Sequence, residues 1–150
     1  MSGAAYTLRP ARSTDAGQVG AILSGFIDGT DWMPRIHTRA EDLSFAGAMI
    51  ERGWVTVAER GGAVVGFAAR DGSEVNALYV DERARGQGCG RALLAQMQAC
   101  CARLELWTFA ANARARAFYE RHGFRETARS DGARNDEGLP DIRYVWRRDA

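Results

Sequence analysis

The stretch "NALYVDERARGQGCGRALLAQM", residues 76–97, constrains the fold of this chain most tightly. A run of β-formers ends at Asp81. Glycines then recur at alternate positions (Gly86, Gly88, Gly90), and Leu93, Met97, Cys100 and Leu104 follow at the 3.6-residue period of a helix. The mouth of a helix presents unpaired N–H groups and the positive end of its dipole, so it attracts phosphate. Glycines let successive N–H groups curl into a nest and let a ligand approach without meeting a Cβ. Arg85 and Arg91 bracket the segment and can add charge-assisted bonds. A pyrophosphate suits this arrangement. On the glycines alone, a tight strand–helix connection accounts for it equally well.

Several function classes drop out. The dinucleotide fingerprint G-x-G-x-x-G fails, because Arg91 stands where its third glycine is needed. All 20 Lys+Arg residues are arginine, which removes a Walker-type loop, a Schiff-base enzyme and any lysine nucleophile. A formal net charge of +1 gives no argument for nucleic acid or an anionic membrane, and no apolar run is long enough to span a bilayer. The start, "MSGAAYTLRPARS", lacks the basic-then-apolar plan of a signal peptide, so a cytoplasmic location is expected. Cys89, Cys100 and Cys101 form no Cys-x-x-Cys, and neither they nor His37 and His122 show metal-ligand spacing, so neither a disulfide framework nor a metal is expected.

Along the chain, "YTLRPA" reads as a short strand stopped by Pro10. A helix follows with Val19, Ile22, Leu23, Phe26 and Ile27 on one face, capped by Ser13, Thr14 or Asp15. Thr38 and Glu41 form a capping box before a second helix carrying Leu43, Ala46 and Ile50. "WVTVAER" and "AVVGFAAR" flank a Gly61-Gly62 hairpin turn, and Asp71-Gly72-Ser73 turns the chain into "EVNALYV" (74–80). "LELWTF" (104–109) is a strand; Asn112 opens a helix running to about His122, which Gly123 ends. Two closing strands, "FRETARSD" and "IRYVWRR", are joined by a polar segment at 132–141. The expectation is one α/β domain over residues 1–150.

Two linked motifs carry a family resemblance. Arg85-x-x-Gly88-x-Gly90 after "LYVD" resembles the acetyl-CoA signature of the GNAT N-acetyltransferase superfamily. "NARARAFYERHGF" (112–124) is similar to that family's N-x-x-A-x-x-F-Y-x-x-x-G-F helix, matching at Asn112, Ala115, Phe118, Tyr119, Gly123 and Phe124. The resemblance implies an α/β fold with a mixed, mostly antiparallel central sheet, a splayed parallel strand pair (74–80 and 104–109) and about four flanking helices. It further implies an acetyl-CoA-dependent N-acetyltransferase acting on a primary amine by direct attack in a ternary complex, with acetyl-CoA as co-substrate and no metal.

The site residues follow from the resemblance. Leu78, Tyr79 and Val80 would lie along the pantetheine arm, Leu78 and Val80 through backbone groups, and the Leu78 N–H would polarise the thioester carbonyl. The N–H groups of Gly86, Gln87, Gly88, Cys89, Gly90 and Arg91, with Arg85, would hold the pyrophosphate. Tyr119 would protonate the leaving thiolate: a thiol pKa of roughly 8.5 against about 10 for tyrosine makes this cost about 2 kcal/mol. Glu74, eleven residues before Arg85, stands where the histone-acetyltransferase branch places a base; a solvated strand-end carboxylate explains it as well, and water can serve instead. Asn112 caps its helix and would also touch the cofactor arm. Cys89, at a helix mouth where thiol pKa values fall, is either a reactive thiol or a small residue beside the pyrophosphate.

The acceptor, a small-molecule or peptide amine, would enter between segments 28–38 and 130–141. These offer Asp28, Asp31, Asp131, Asp136, Glu137 and Asp141 with Trp32 and Met33, an acidic and aromatic edge suited to a cation but diluted by Arg35, Arg39 and Arg134. Two other classes stay open: a catalytically silent acetyl-CoA sensor, and an enzyme acting on aminoacyl-tRNA through Arg114, Arg116, Arg121 and Arg125, against which the near-neutral charge argues. Edge strands near the C-terminus are compatible with a homodimer and no feature suggests a membrane partner.

Overall fold

The computed structural model describes residues 6–149. Gly61 and Gly62, with φ of 60° and 80°, close the hairpin between β2 (Val55–Arg60) and β3 (Ala63–Asp71), a left-handed pair that side chains resist. Gly72 turns β3 back into β4 (Glu74–Val80). β1 (Thr7–Pro10) lies outside β2, and β5 (Arg103–Phe109), β6 (Arg125–Ser130) and β7 (Asp141–Arg147) complete one seven-stranded sheet in the order β1-β2-β3-β4-β5-β7-β6. Every pairing is antiparallel except β4 with β5. With helices α1 (Ala16–Asp28), α2 (Arg39–Glu51), α3 (Cys89–Cys100) and α4 (Ala113–Arg121), this is the expected mixed sheet with four helices.

Two hydrophobic clusters sandwich the sheet. Val19 and Ile22 of α1 with Ala46, Met49 and Ile50 of α2 pack on Val57, Val64 and Phe67. Leu93, Leu94 and Met97 of α3 with Tyr119 and Phe124 cover Leu104, Leu106, Ile142 and Tyr144 on the other face. α3 ends at Cys100, so Leu104 belongs to β5 and not to the helix; the Arg148 guanidinium donates to the carbonyls of Gln98, Ala99 and Cys101 and satisfies the helix end.

The caps at Thr38 and Asn112 form as the sequence predicts, with Glu41 N–H on Thr38 Oγ1 at 3.1 Å and Ala115 N–H on Asn112 Oδ1 at 3.1 Å. Leu43, by contrast, is 46% exposed. Its neighbour Asp42 turns inward instead, accepting from Ser24 Oγ at 2.6 Å and from Arg35 Nη1 at 3.0 Å, and a Cβ on Gly20 would stand 3.1 Å from the Leu43 Cα. Helices α1 and α2 approach closely there, the Leu43 side chain lies against Gly20 at their edge, and Asp42 forms a polar lock between them.

A second lock joins β1 to the start of α1. Arg9 clasps Asp15 through two bonds of 2.8 and 3.0 Å, and Asp15 also accepts from the Arg12 N–H at 2.7 Å. The hydrogen bonds from Arg9 hold the Asp15 carboxyl down at about 2, despite burial, which acts the other way. The unfolded chain takes up this proton near pH 3.9, whereas the folded protein resists until about 2, so the lock is fully present above pH 4 and is lost as pH falls towards 2. Asp15→Asn should lower the urea midpoint at pH 7 and flatten its fall between pH 4 and pH 2; an acid limb identical to wild type would show that Asp15 does not contribute.

Candidate active site

β4 and β5 meet at one register pair, Glu74 with Glu105, and then diverge. An extra residue in β4 prepares the divergence: Ala77 faces Ala69 and Val75 faces Arg70, which leaves Asn76 as a bulge. Its effect can be read from two hydrogen bonds. The Ser73 carbonyl accepts from Glu105 N–H in β5, while the Asp81 N–H donates to Val65 in β3. In an unbroken strand, positions eight apart point to the same edge. Here they point to opposite edges, because the bulge shifts the phase by one. The backbone groups of Leu78 and Val80 therefore turn into the gap beside β5. Side chains record the same shift: Val75 packs in the α3–α4 cluster and Ala77 in the α1–α2 cluster.

The gap forms an open cleft of about 80 Å³ lined by Leu78, Tyr79, Thr108, Asn112 and Tyr119 among others. Below it, Gly88, with φ 87°, caps the N-terminus of α3, and Gly86 has φ 73°. Among the described residues, no acceptor meets the N–H groups from Gly86 to Arg91. A Cβ at Gly86 or Gly88 would touch no protein atom within 4 Å, so the glycines answer to backbone conformation and an open approach, not to packing. Gly90 lies beside Val80 and Phe118, and Arg85 and Arg91 are exposed at either end. Loop and gap together fit an extended ligand with an anionic end and an amide-bearing arm.

Cys89 differs from its expected low pKa. Its side chain is buried against Gly66, where a Cβ would come within 2.6 Å of Sγ, and burial pushes the thiol up to about 11 in spite of nearby Arg60. Desolvation outweighs the helix dipole here because the sulfur points into the sheet while the N–H points out.

Tyr119 is buried among Phe118, Phe124 and Tyr144, and its hydroxyl pKa is raised, first by desolvation and then by the neighbouring Tyr79. Tyr79 comes from the opposite face of the sheet, packs on Phe26 at 4.9 Å and Phe67 at 5.8 Å, and is pushed up to about 12 by burial and by Glu137. The cleft thus passes through the sheet. Tyr119 stands on the α3–α4 side; on the α1 side Tyr79, Phe26, Trp32 and Phe109 form a chain of touching rings, with Trp32 to Phe26 at 6.4 Å and to Phe109 at 5.7 Å. Sequence reading missed Phe26, Tyr79 and Phe109 as one wall, since three separate elements supply them.

Glu74 is not part of the cleft lining. Both its oxygens accept from Arg143 at 2.8 Å, Arg143 also pairs with Glu105, and the guanidinium stacks 5.5 Å from the Trp107 ring. Arg143 thus holds the Glu74 carboxylate at the closed end of the strand pair. The acidic mouth is also thinner than its composition suggests. Asp28 pairs with Arg35 and Arg39, Asp136 with His37, Asp131 accepts from the Ala133 N–H, and Asp141 binds Ser130. Asp31 and Glu137 make no such contact among the described residues. The His37–Asp136 pair, at 3.5 Å, bridges the two loops that frame the mouth.

A family profile described as an acetyltransferase (GNAT) domain matches residues 51–126. The chain belongs to the GNAT acetyltransferase family, and is an acetyl-CoA-dependent N-acetyltransferase. It is 31% identical over 127 residues to the peptidyl-lysine N-acetyltransferase YjaB of Escherichia coli strain K12, covering 83% of this chain and 86% of that protein. The fold is similar to the solution structure of apo YjaB (TM-score 0.79, 24% identity, 94% of this chain and 97% of that one). It is also similar to a GCN5-related N-acetyltransferase from Rhodopseudomonas palustris (0.82, 21%, 98% of each) and to YncA of Salmonella typhimurium, whose structure contains acetyl-CoA (0.71, 22%, 95% and 93%). Among the described residues no helix is long and apolar enough to cross a membrane, and no cluster of His, Cys, Asp and Glu could hold a metal.

The inward turn of Cys89 has a direct chemical consequence. At pH 8 a thiol reagent should modify exposed Cys100 in the folded protein and reach Cys89 only after denaturation. Rapid labelling of Cys89 in the native state would contradict its burial.

Proposed function

We propose that the chain acetylates the side-chain amine of lysine in peptides, with the acyl donor seated between β4 and β5 and the amine admitted from the α1 side. The observation that carries this reading is the cleft through the sheet, with Tyr119 on one face and the aromatic mouth on the other. Donor and acceptor then meet from opposite sides at the Leu78 peptide. Beside the mouth, Trp107 is 46% exposed and β6 is exposed along nearly all its length, which leaves room for a polypeptide. The name of the E. coli relative supports the same acceptor. The continuous sheet supports treating the chain as one acetyltransferase domain.

Acetyl-CoA supplies the activated thioester. The backbone of Leu78 and Val80 would pair with its amide-bearing arm, the N–H groups of Gly86 to Arg91 with its diphosphate, and Arg85 and Arg91 would add charge. The Leu78 N–H faces the place where negative charge grows on the carbonyl oxygen, and in a partly dry cleft such a donor is worth more than in water. Tyr119, kept neutral by burial, donates its proton or a hydrogen bond to the departing sulfur. Asn112 spends Oδ1 on capping α4 and keeps its amide N–H groups at the cleft.

Among the described residues no carboxylate lines the cleft, and in this reading the amine loses its proton to water. At pH 7 an alkyl ammonium of pKa about 10.4 stands about 4 kcal/mol from its neutral form. The wall of Phe26, Tyr79 and Phe109 reduces that gap by desolvating the cation, while Asp31 and Glu137 attract it at the rim. We read Glu74 as the pin of the strand pair.

Thiol release from acetyl-CoA over lysine peptides, free lysine and polyamines tests the acceptor. The chain has no lysine of its own, so every acetyl-lysine detected arises on the substrate. Lysine peptides should give the highest kcat/KM; CoA binding with no release on any amine would favour the sensor reading instead. Tyr119→Phe should lower kcat by about 100-fold with CoA affinity unchanged. Glu74→Gln should lower the unfolding midpoint yet leave the pH–rate profile as in wild type; loss of a limb from that profile would restore Glu74 as the base.

A further inference from the structure

The inference begins at one peptide group and rests on reading 85–91 as the seat of the diphosphate. Gly88 has φ 87° and ψ 5°, and Gln87 before it has a negative φ. Gly88 thus lies in the left-handed region, which glycine adopts without strain. The peptide joining the two residues, Gln87 C=O with Gly88 N–H, can rotate between two opposed forms because glycine tolerates φ of either sign. Because a peptide is planar with its C=O and N–H opposed, the two forms present opposite charge to anything on one side. An N–H facing a diphosphate attracts it; a carbonyl facing it repels.

Contacts from the far edge of the sheet select between them. Tyr6 Oη donates to the Gln87 carbonyl at 3.1 Å. Arg60, at the end of β2, donates to Tyr6 Oη at 3.2 Å and to Gln87 Oε1 at 2.6 Å, with its guanidinium 5.4 Å from the Tyr6 ring. Gln87 Nε2 in turn donates to the Arg83 carbonyl at 3.1 Å. The side-chain bonds alone would tether the loop. The bond to the carbonyl does more, because it fixes which way the peptide faces.

We propose that Tyr6 is a positioning residue for the acyl donor: by holding the Gln87 carbonyl outward it turns the Gly88 N–H towards the diphosphate, and Arg60 holds Tyr6 in place for that task. Tyr6 meets no reacting atom. Its effect acts through the loop and is confined to donors that carry a diphosphate.

That restriction supplies the test. Steady-state kinetics of the full chain are measured with acetyl-CoA and with S-acetylpantetheine, a thioester that lacks the diphosphate and nucleotide. Tyr6→Phe, which keeps the ring, should raise KM for acetyl-CoA about fivefold, the worth of one hydrogen bond, with kcat unchanged. Its kcat/KM for S-acetylpantetheine should match wild type. Arg60→Gln should move KM for acetyl-CoA in the same direction, which keeps the proposal open to test if Tyr6→Phe folds poorly. An unchanged KM for acetyl-CoA in both variants, or an equal loss on both donors, would overturn the proposal, the latter by marking Tyr6 as packing alone. A wild-type protein that preferred acetyl-CoA no more than S-acetylpantetheine would remove the diphosphate seat, and the role of Tyr6 with it.

Discussion

The parting of β4 from β5 is the constraint on which the rest of the structure depends. Parallel neighbours in a sheet ordinarily pair along their length, because an unpaired buried backbone group costs about as much as a lost hydrogen bond. Here pairing stops after Glu74 and Glu105, and Arg143 grips both carboxylates at that point from β7. The pin keeps the strands together at one end, and the Asn76 bulge turns the next backbone groups into the gap at the other. We propose that the N–H and C=O groups of Leu78 and Val80 so exposed are the template for the amide-bearing arm of acetyl-CoA.

The same opening explains why the site has two faces. A closed sheet would separate Tyr119 from Phe26 and Tyr79; a parted one lets all three line a single cleft. The two tyrosines differ in surroundings. Tyr119 is enclosed by the α3–α4 cluster and Tyr79 by the α1–α2 cluster, and each is held neutral by desolvation. In the proposed reaction the cleft offers a neutral donor, Tyr119, on the sulfur side and apolar rings on the amine side. That division suits a reaction in which the amine must arrive uncharged and the thiolate must leave protonated.

What was legible in the sequence had local causes. The Thr38 and Asn112 caps, the Gly61-Gly62 turn and the strand–glycine–helix order rest on residues within a few positions of each other, and each forms as read. What was not legible depends on distant partners. Glu74 becomes a pin only because Arg143 lies across the sheet, 69 residues on. Cys89 faces inward because Gly66 leaves room for its sulfur, and Asp42 is buried between α1 and α2 because Ser24 and Arg35 reach it. The bulge at Asn76 is a property of register between strands, and the contact of Tyr6 with Gln87 spans 81 residues. Pattern fixes where an element lies; the partner decides which way its groups point.

Amide hydrogen exchange along β4, measured residue by residue with and without CoA, tests the central claim most directly. The account predicts that CoA slows exchange strongly at Leu78 and Val80, whose N–H groups turn into the gap, and leaves Val75, beside the pinned end, unchanged. Binding of CoA with no added protection at Leu78 and Val80 would contradict it.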